Sequence, residues 1–172
     1  MTTKAFRPRQ ILEILAKHDV EFILIGGVAA ALHGAPFPTV DVDVVPAIET
    51  SNLDRLAAAL RELDAVLRDA DSPDGIRINF DGRMLKRALP DLAVLRFDTK
   101  YGYLDLIYRP AGTKGFRELA RSAVTEDAGS VQIRVASLED VIRSKQAVGR
   151  SRDLEQLPTL RRLLDVEENS PK

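Results

Sequence analysis

At 172 residues, 45% hydrophobic and 30% charged, the chain reads as an ordinary globular sequence of a length that suits one domain, taken as residues 1–172. It has no cysteine, which excludes disulfides, thiolate metal sites and cysteine nucleophiles. A formal net charge of −1 excludes the global basic field that dominates nucleic-acid binding, although a local basic groove is still compatible with it.

The opening residues, Met1 to Arg7, carry no apolar core of a signal peptide. The longest apolar stretch, Phe22 to Leu32, is interrupted by Gly26-Gly27 and is too short for a bilayer. The expectation is a cytoplasmic protein with no membrane partner. Pro8 through His18 predicts a first helix, with Ile11, Leu12, Ile14 and Leu15 as its apolar stripe. Glu21 to Ile25 reads as a short strand buried on both faces. Gly26-Gly27 ends it, and Val28 to Leu32 predicts a short Ala-rich helix closed by His33-Gly34. Pro36 and Pro38 make the next segment a loop. Thr39 to Val45 is the next predicted strand, with Val40, Val42 and Val44 on a buried face and Asp41 and Asp43 on the other.

Ser51 is the expected N-cap of an amphipathic helix running to about Leu67. Asp69 to Gly75 reads as a polar turn, Ile76 to Phe80 as a strand and Arg83 to Leu89 as a short helix. Leu92 to Phe97 and Tyr103 to Tyr108 predict a hairpin turning at Thr99 to Gly102. Thr113 to Ser122 is expected to be helical and Val131 to Val135 to be a strand. Ser137 opens a helix in capping-box style, beginning a helical C-terminal part. A last helix is predicted from about Asp153 to Leu164, bent or restarted at Pro158, before a frayed tail from Glu167 to Lys172. Strands and helices in this irregular order imply an α/β or α+β fold with a mixed sheet.

Asp41 and Asp43, two apart in a strand, project to one side, and two like charges held together are best tolerated with a cation between them. Magnesium, a hard ion that takes one or two carboxylates together with substrate phosphates, fits such a pair. The plain alternative is a half-exposed strand alternating Val and Asp, although aspartate is poorly suited to strands. Asp105 lies between Leu104 and Leu106 in an otherwise apolar strand, where a metal or an arginine would have to compensate it. Gly26-Gly27 lets backbone approach a ligand closely, and the helix start that follows offers N–H groups to phosphate. No Walker-type lysine follows, and the spaced third glycine of a dinucleotide fingerprint is absent.

The order Gly26-Gly27, a short Ala-rich helix, His33-Gly34, Pro36-x-Pro38-Thr39 and Asp41-x-Asp43 resembles the polymerase-β-like nucleotidyltransferase superfamily. It is most similar to the branch of AbiEii and MenT toxin-type nucleotidyltransferases. The resemblance continues through Gly102-Tyr-Leu-Asp105, Ser137 to Lys145, and Gly149 to Leu154. It implies a nucleotidyltransferase-type sheet flanked by helices, with Mg2+ as cofactor and an NTP as substrate. Asp41 and Asp43 would bind the metal, and Asp105, a metal-binding carboxylate as well, would help activate the acceptor hydroxyl. Gly26, Gly27, Thr39 and Lys145 would form the nucleotide site, with Asp153 orienting its neighbours. The acceptor implied is a tRNA end, with an antitoxin protein as partner; a protein side chain or small molecule are the other acceptors. Two positions depart from the family: Gly27 where many relatives carry Ser, and Phe37 where many carry a basic residue.

Arg143, Lys145, Arg150 and Arg152 form a basic cluster, read either as a solvated helix face or as a rim for phosphate. Only Lys145 is assigned a phosphate role. His33 is expected to cap its helix or pack under the loop, His18 to end the first helix, and Tyr101, Tyr103 and Tyr108 to pack. Two rival readings accompany the transferase: an inactive nucleotide- or partner-binding module, motivated by Phe37, and a haloacid-dehalogenase-like phosphatase, motivated by Asp41-Val-Asp43.

Overall fold

The computed structural model describes residues 5–170. Residues 1–4, part of the opening read for a signal peptide, and residues 171–172, the end of the expected frayed tail, lie outside it. The fold is mixed α/β. In chain order it runs α1 (Pro8–Lys17), β1 (Phe22–Ile25), α2 (Gly26–Leu32), β2 (Asp41–Pro46), α3 (Thr50–Glu62), β3 (Val66–Asp69), β4 (Ser72–Ile76) and α4 (Gly82–Leu92). It continues with β5 (Val94–Thr99), β6 (Gly102–Ile107), α5 (Phe116–Ser122), β7 (Val124–Asp127), β8 (Gln132–Val135), α6 (Leu138–Val148) and α7 (Ser151–Asn169). None of the described helices is long and apolar enough to cross a membrane.

The eight described strands form one sheet in the order β4-β3-β5-β6-β2-β1-β8-β7. It is mixed, as the irregular order of elements implied: β2 pairs parallel with β6 and antiparallel with β1, and β1 pairs parallel with β8. The centre of the sheet is its most apolar part. Phe22 to Ile25 are all buried, and Val42, Val44, Leu104 and Leu106 are inaccessible to solvent. Each side chain of this kind contributes about 1.5–3 kcal/mol through burial, so the register of β2 on β6 is strongly determined. Val40, expected behind the carboxylates with Val42 and Val44, is instead 60% exposed, because β2 begins only at Asp41.

Buried polar groups tie helices to this centre. Asn52, not Ser51, does the work at the start of α3, which begins at Thr50 without a side-chain cap. The Asn52 carboxamide donates to the Glu21 and Ala47 carbonyls at 2.9 and 2.8 Å and accepts from the Glu21 amide at 2.7 Å. Ser137 caps α6 as expected, its hydroxyl accepting from the Asp140 amide at 3.2 Å. The Asp140 carboxylate does not close the box but accepts from Ser122 and Arg143. His33 lies 2.8 Å from the Ala136 carbonyl, joining the end of α2 to the end of β8. His18 meets Glu62 at 2.6 Å, a link between α1 and α3.

The largest corrections concern residues 63–80. The expected helix to Leu67 stops at Glu62, and the expected polar turn over 69–75 is mostly a hairpin, β3 to β4. Residues 77–80, expected as a strand, are irregular. Strand β7 was not anticipated. Helix α4 runs on to Leu92 through Pro90, so β5 starts two residues later than expected. Helix α5 starts at Phe116, not at Thr113, whose hydroxyl instead closes a turn on the Pro110 carbonyl at 2.8 Å. Helix α7 neither restarts nor ends at Pro158. Leu154 and Pro158 are both exposed, so solvent can take the carbonyl that proline leaves unbonded. The same helix carries residues 167–169 of the segment expected to fray.

Candidate active site

Strand alternation and the register of β2 on β6 build the centre of the site. Asp43 stands directly across from Asp105, and Asp41 across from Tyr103. Carboxylate oxygens of Asp41, Asp43 and Asp105 all lie within 4.8 Å of one another. Like charges opposite each other in a sheet are destabilising, and the cost shows in their protonation. Burial first, then the charges of Asp41 and Asp105, push the Asp43 pKa from 3.8 up to about 7, against the pull of Lys145 and Arg150. Burial likewise pushes Asp105 up to about 6, even though Arg96, 3.4 Å away, and Arg68 favour its charged form. Asp105 Oδ1 is buried with no hydrogen-bond partner. A hard divalent cation answers all three features at once: oxygen-only donors, excess negative charge and an orphaned carboxylate oxygen.

The glycine pair is required by these same side chains. Gly26 has φ of +75°, and a Cβ built there would lie 2.1 Å from Asp43 Oδ2. A Cβ at Gly27 would lie 2.5 Å from the Thr39 hydroxyl. That hydroxyl in turn is 3.2 Å from Asp41 Oδ1. So Gly26 backs Asp43, while Gly27 backs Thr39 and, through it, Asp41. A Ser at position 27 would collide with Thr39 where it stands. Both glycines are the first residues of α2, which therefore starts two residues earlier than predicted.

Cations gather on this side. Lys145 and Arg150 both act on Asp43 by charge, and both are held by the buried Asp153, at 3.2 and 2.8 Å. Burial raises the Asp153 pKa, but its bonds to Arg150 and Lys145 outweigh that and leave it below the usual carboxylate range. Arg152 donates to the Pro38 carbonyl at 2.7 Å, fixing α7 to the loop before β2. Phe37 packs against the core. All the sequence-identified residues, Gly26, Gly27, Thr39, Asp41, Asp43, Asp105 and Lys145, are thus brought together. The sequence names Arg150 only as part of the basic cluster, with no role of its own, and does not point to Arg96 or Arg68. Arg96 was recoverable, because a hairpin turning at Thr99 to Gly102 puts it opposite Asp105, as observed. Arg68 was not, since its strand was unrecognised. Of the tyrosines, Tyr101 and Tyr108 pack against the core, whereas Tyr103 is exposed with the Arg68 guanidinium 4.4 Å from its ring centre.

No protein-family model matches the chain, and no curated protein matches its sequence. Solved structures do match. The lincomycin-bound lincosamide antibiotic adenylyltransferase LnuA is similar with a TM-score of 0.61 at 12% identity, over 94% of this chain and 99% of that one. TM1012 from Thermotoga maritima, a provisionally assigned nucleotidyltransferase, is similar with a TM-score of 0.52 at 18% identity, over 93% of this chain and 95% of that one. At such identities the likeness speaks for architecture, and the chain has a nucleotidyltransferase-like fold.

Proposed function

We propose that the chain, as one domain, is a magnesium-dependent nucleotidyltransferase that moves a nucleoside monophosphate from an NTP to an acceptor hydroxyl. The observation that carries the reading is the meeting of Asp41, Asp43 and Asp105 within 4.8 Å beside a glycine pair that their side chains require. A pure binding module has no use for three close carboxylates, one with an orphaned oxygen. Retention of all three disfavours the inactive reading.

Asp41, Asp43 and Asp105 would hold Mg2+, which when bound neutralises charge on the phosphates and on the attacking and leaving oxygens. The chain's own residues do the rest. Gly26 and Gly27 let the Asp43 carboxylate and the Thr39 hydroxyl lie against the start of α2, where the triphosphate would meet backbone amides, and Thr39 keeps Asp41 in place. Lys145, with Arg150, meets the phosphate charge, and Asp153 holds both cations. Asp105 takes the proton of the acceptor hydroxyl as its oxygen bonds to the α-phosphorus and the bond to pyrophosphate breaks.

The AbiEii- and MenT-like motifs support a tRNA end as acceptor and a role as the toxin of a toxin–antitoxin pair, with an antitoxin as protein partner. LnuA, of similar fold, is an adenylyltransferase of a small antibiotic. The test is to offer each α-labelled NTP with magnesium to total tRNA, to protein and to small molecules including lincomycin. Label in one pool identifies the acceptor class. Nucleotide binding with label in none would overturn the proposal in favour of the inactive module.

A further inference from the structure

Strand β6 lies between β2 and β5, so Asp105 has a charged residue directly across from it on each side: Asp43 on β2 and Arg96 on β5. Arg96 Nε is 3.4 Å from Asp105 Oδ2, whereas Oδ1 is buried with no hydrogen-bond partner. The pair is lopsided, since the Arg96 side chain is 59% exposed and the Asp105 side chain 11%. A guanidinium that exposed is screened by water, contributes little through the pair itself and can swing away.

The other cations of the site are placed differently. Lys145 and Arg150 are both tied to Asp153 and act on Asp43 only by charge. Arg68 rests its guanidinium 4.4 Å from the centre of the Tyr103 ring. Among the described residues, Arg96 alone is in ion-pair contact with one of the three carboxylates. It therefore answers part of the negative charge that Asp41, Asp43 and Asp105 hold within 4.8 Å of one another, the same charge that a divalent cation would answer.

We propose that Arg96 is a positioning residue that acts through Asp105 as an exchangeable counter-ion, pairing with Oδ2 and yielding it when a divalent cation enters the three carboxylates. The inference rests on the metal-binding part of the transferase reading. Two positive groups at one carboxylate repel each other. The guanidinium holds one oxygen of one carboxylate, whereas a divalent ion draws on all three, so the ion prevails. Arg96 thus eases the repulsion among the carboxylates before loading and weakens the binding of the metal. A purely structural Arg96, a cross-strand pair that steadies β5 on β6, predicts the opposite sign, because its loss would loosen Asp105 and weaken metal binding further.

The test titrates the full chain at about pH 8 without nucleotide, with Mn2+ followed by electron paramagnetic resonance and Mg2+ by the arginine Cζ resonances. Arg96→Gln should bind Mn2+ roughly threefold or more tightly than wild type, and Arg96→Lys, which keeps the charge, within about twofold of it. The gain should shrink as salt rises, since an exposed charge is screened. In wild type the Arg96 Cζ resonance, assigned by its absence from Arg96→Gln, should move as Mg2+ saturates the site. Metal-free Arg96→Gln should melt below wild type, and saturating Mg2+ should narrow the gap. Unchanged or weaker Mn2+ binding in Arg96→Gln, or an Arg96 resonance indifferent to Mg2+, would overturn the inference and leave the metal reading standing. If wild type binds no Mn2+ that Asp41→Asn/Asp43→Asn loses, the metal reading itself falls, and the inference with it.

Discussion

At the scale of single residues, the site trades stability for charge. Asp43 and Asp105 titrate near 3.8 when unfolded, but at about 7 and about 6 in the fold, burial being the main cause. Between about pH 4 and pH 7 the folded protein therefore binds more protons than the unfolded chain, so unfolding free energy falls as pH rises through that window. Metal-free protein should melt several degrees lower at pH 8 than at pH 5, and Mg2+ should restore much of the loss at pH 8 but little at pH 5. Asp43→Asn should raise the metal-free melting temperature at pH 8 and flatten the pH profile. A metal-free profile that stays level or rises would show that these carboxylates are not the strained groups. Gly26→Ala tests the other side of the same contact. Its Cβ would meet the Asp43 carboxylate and its φ is +75°, so the change should cost roughly 1–3 kcal/mol in urea unfolding. In an Asp43→Ala background the clash with the carboxylate is removed and only the closer approach of the residue-43 Cβ is left, so the cost should shrink, an interaction that a double-mutant cycle measures.

At the scale of elements, two polar anchors separate stability from the site. Asn52→Ala leaves the Glu21 amide and the Ala47 carbonyl without their Asn52 partner, while the Glu21 carbonyl keeps the Ala47 amide, and urea unfolding should show a loss of about 2–4 kcal/mol. Asn52 is remote from the carboxylates, so any transferase activity should survive in the folded fraction. Asp153→Asn should do the reverse. It loosens Lys145 and Arg150, so the NTP KM should rise roughly tenfold, about 1.4 kcal/mol, with the acceptor KM little changed. An unchanged NTP KM would remove Lys145 and Arg150 from the phosphate side.

The elements also show where sequence reading succeeds. β1 and β2 were legible because a fully apolar strand and a strict Val/Asp alternation each allow few alternatives, and the carboxylate faces followed from that period. β3, β4 and β7 escaped because they lie toward the ends of the sheet, β4 and β7 at its two edges. Edge strands need no two-sided apolar pattern and tolerate proline, and β4 is Ser-Pro-Asp-Gly-Ile, which reads as a turn. Missing β3 hid Arg68. Val40 was misplaced for a related reason: alternation gives the face of a residue but not the point at which the strand begins.

At the scale of the molecule, the sheet centre carries the site. The glycine pair, Thr39 and the cations Lys145 and Arg150 gather around the three carboxylates that β2 and β6 carry. Removing the carboxylates should abolish transfer without unfolding the protein, since the charges of Asp41, Asp43 and Asp105 repel one another in the fold. The most direct measurement follows the α- and γ-phosphates of the preferred NTP separately, with and without magnesium, in wild type and in Asp41→Asn/Asp43→Asn. The expected result is α-label on the acceptor, γ-label in pyrophosphate, an absolute need for magnesium, and a loss of at least a thousandfold in the folded variant, about 4 kcal/mol of barrier. Release of γ-label as orthophosphate, or transfer that persists in the variant, would contradict it.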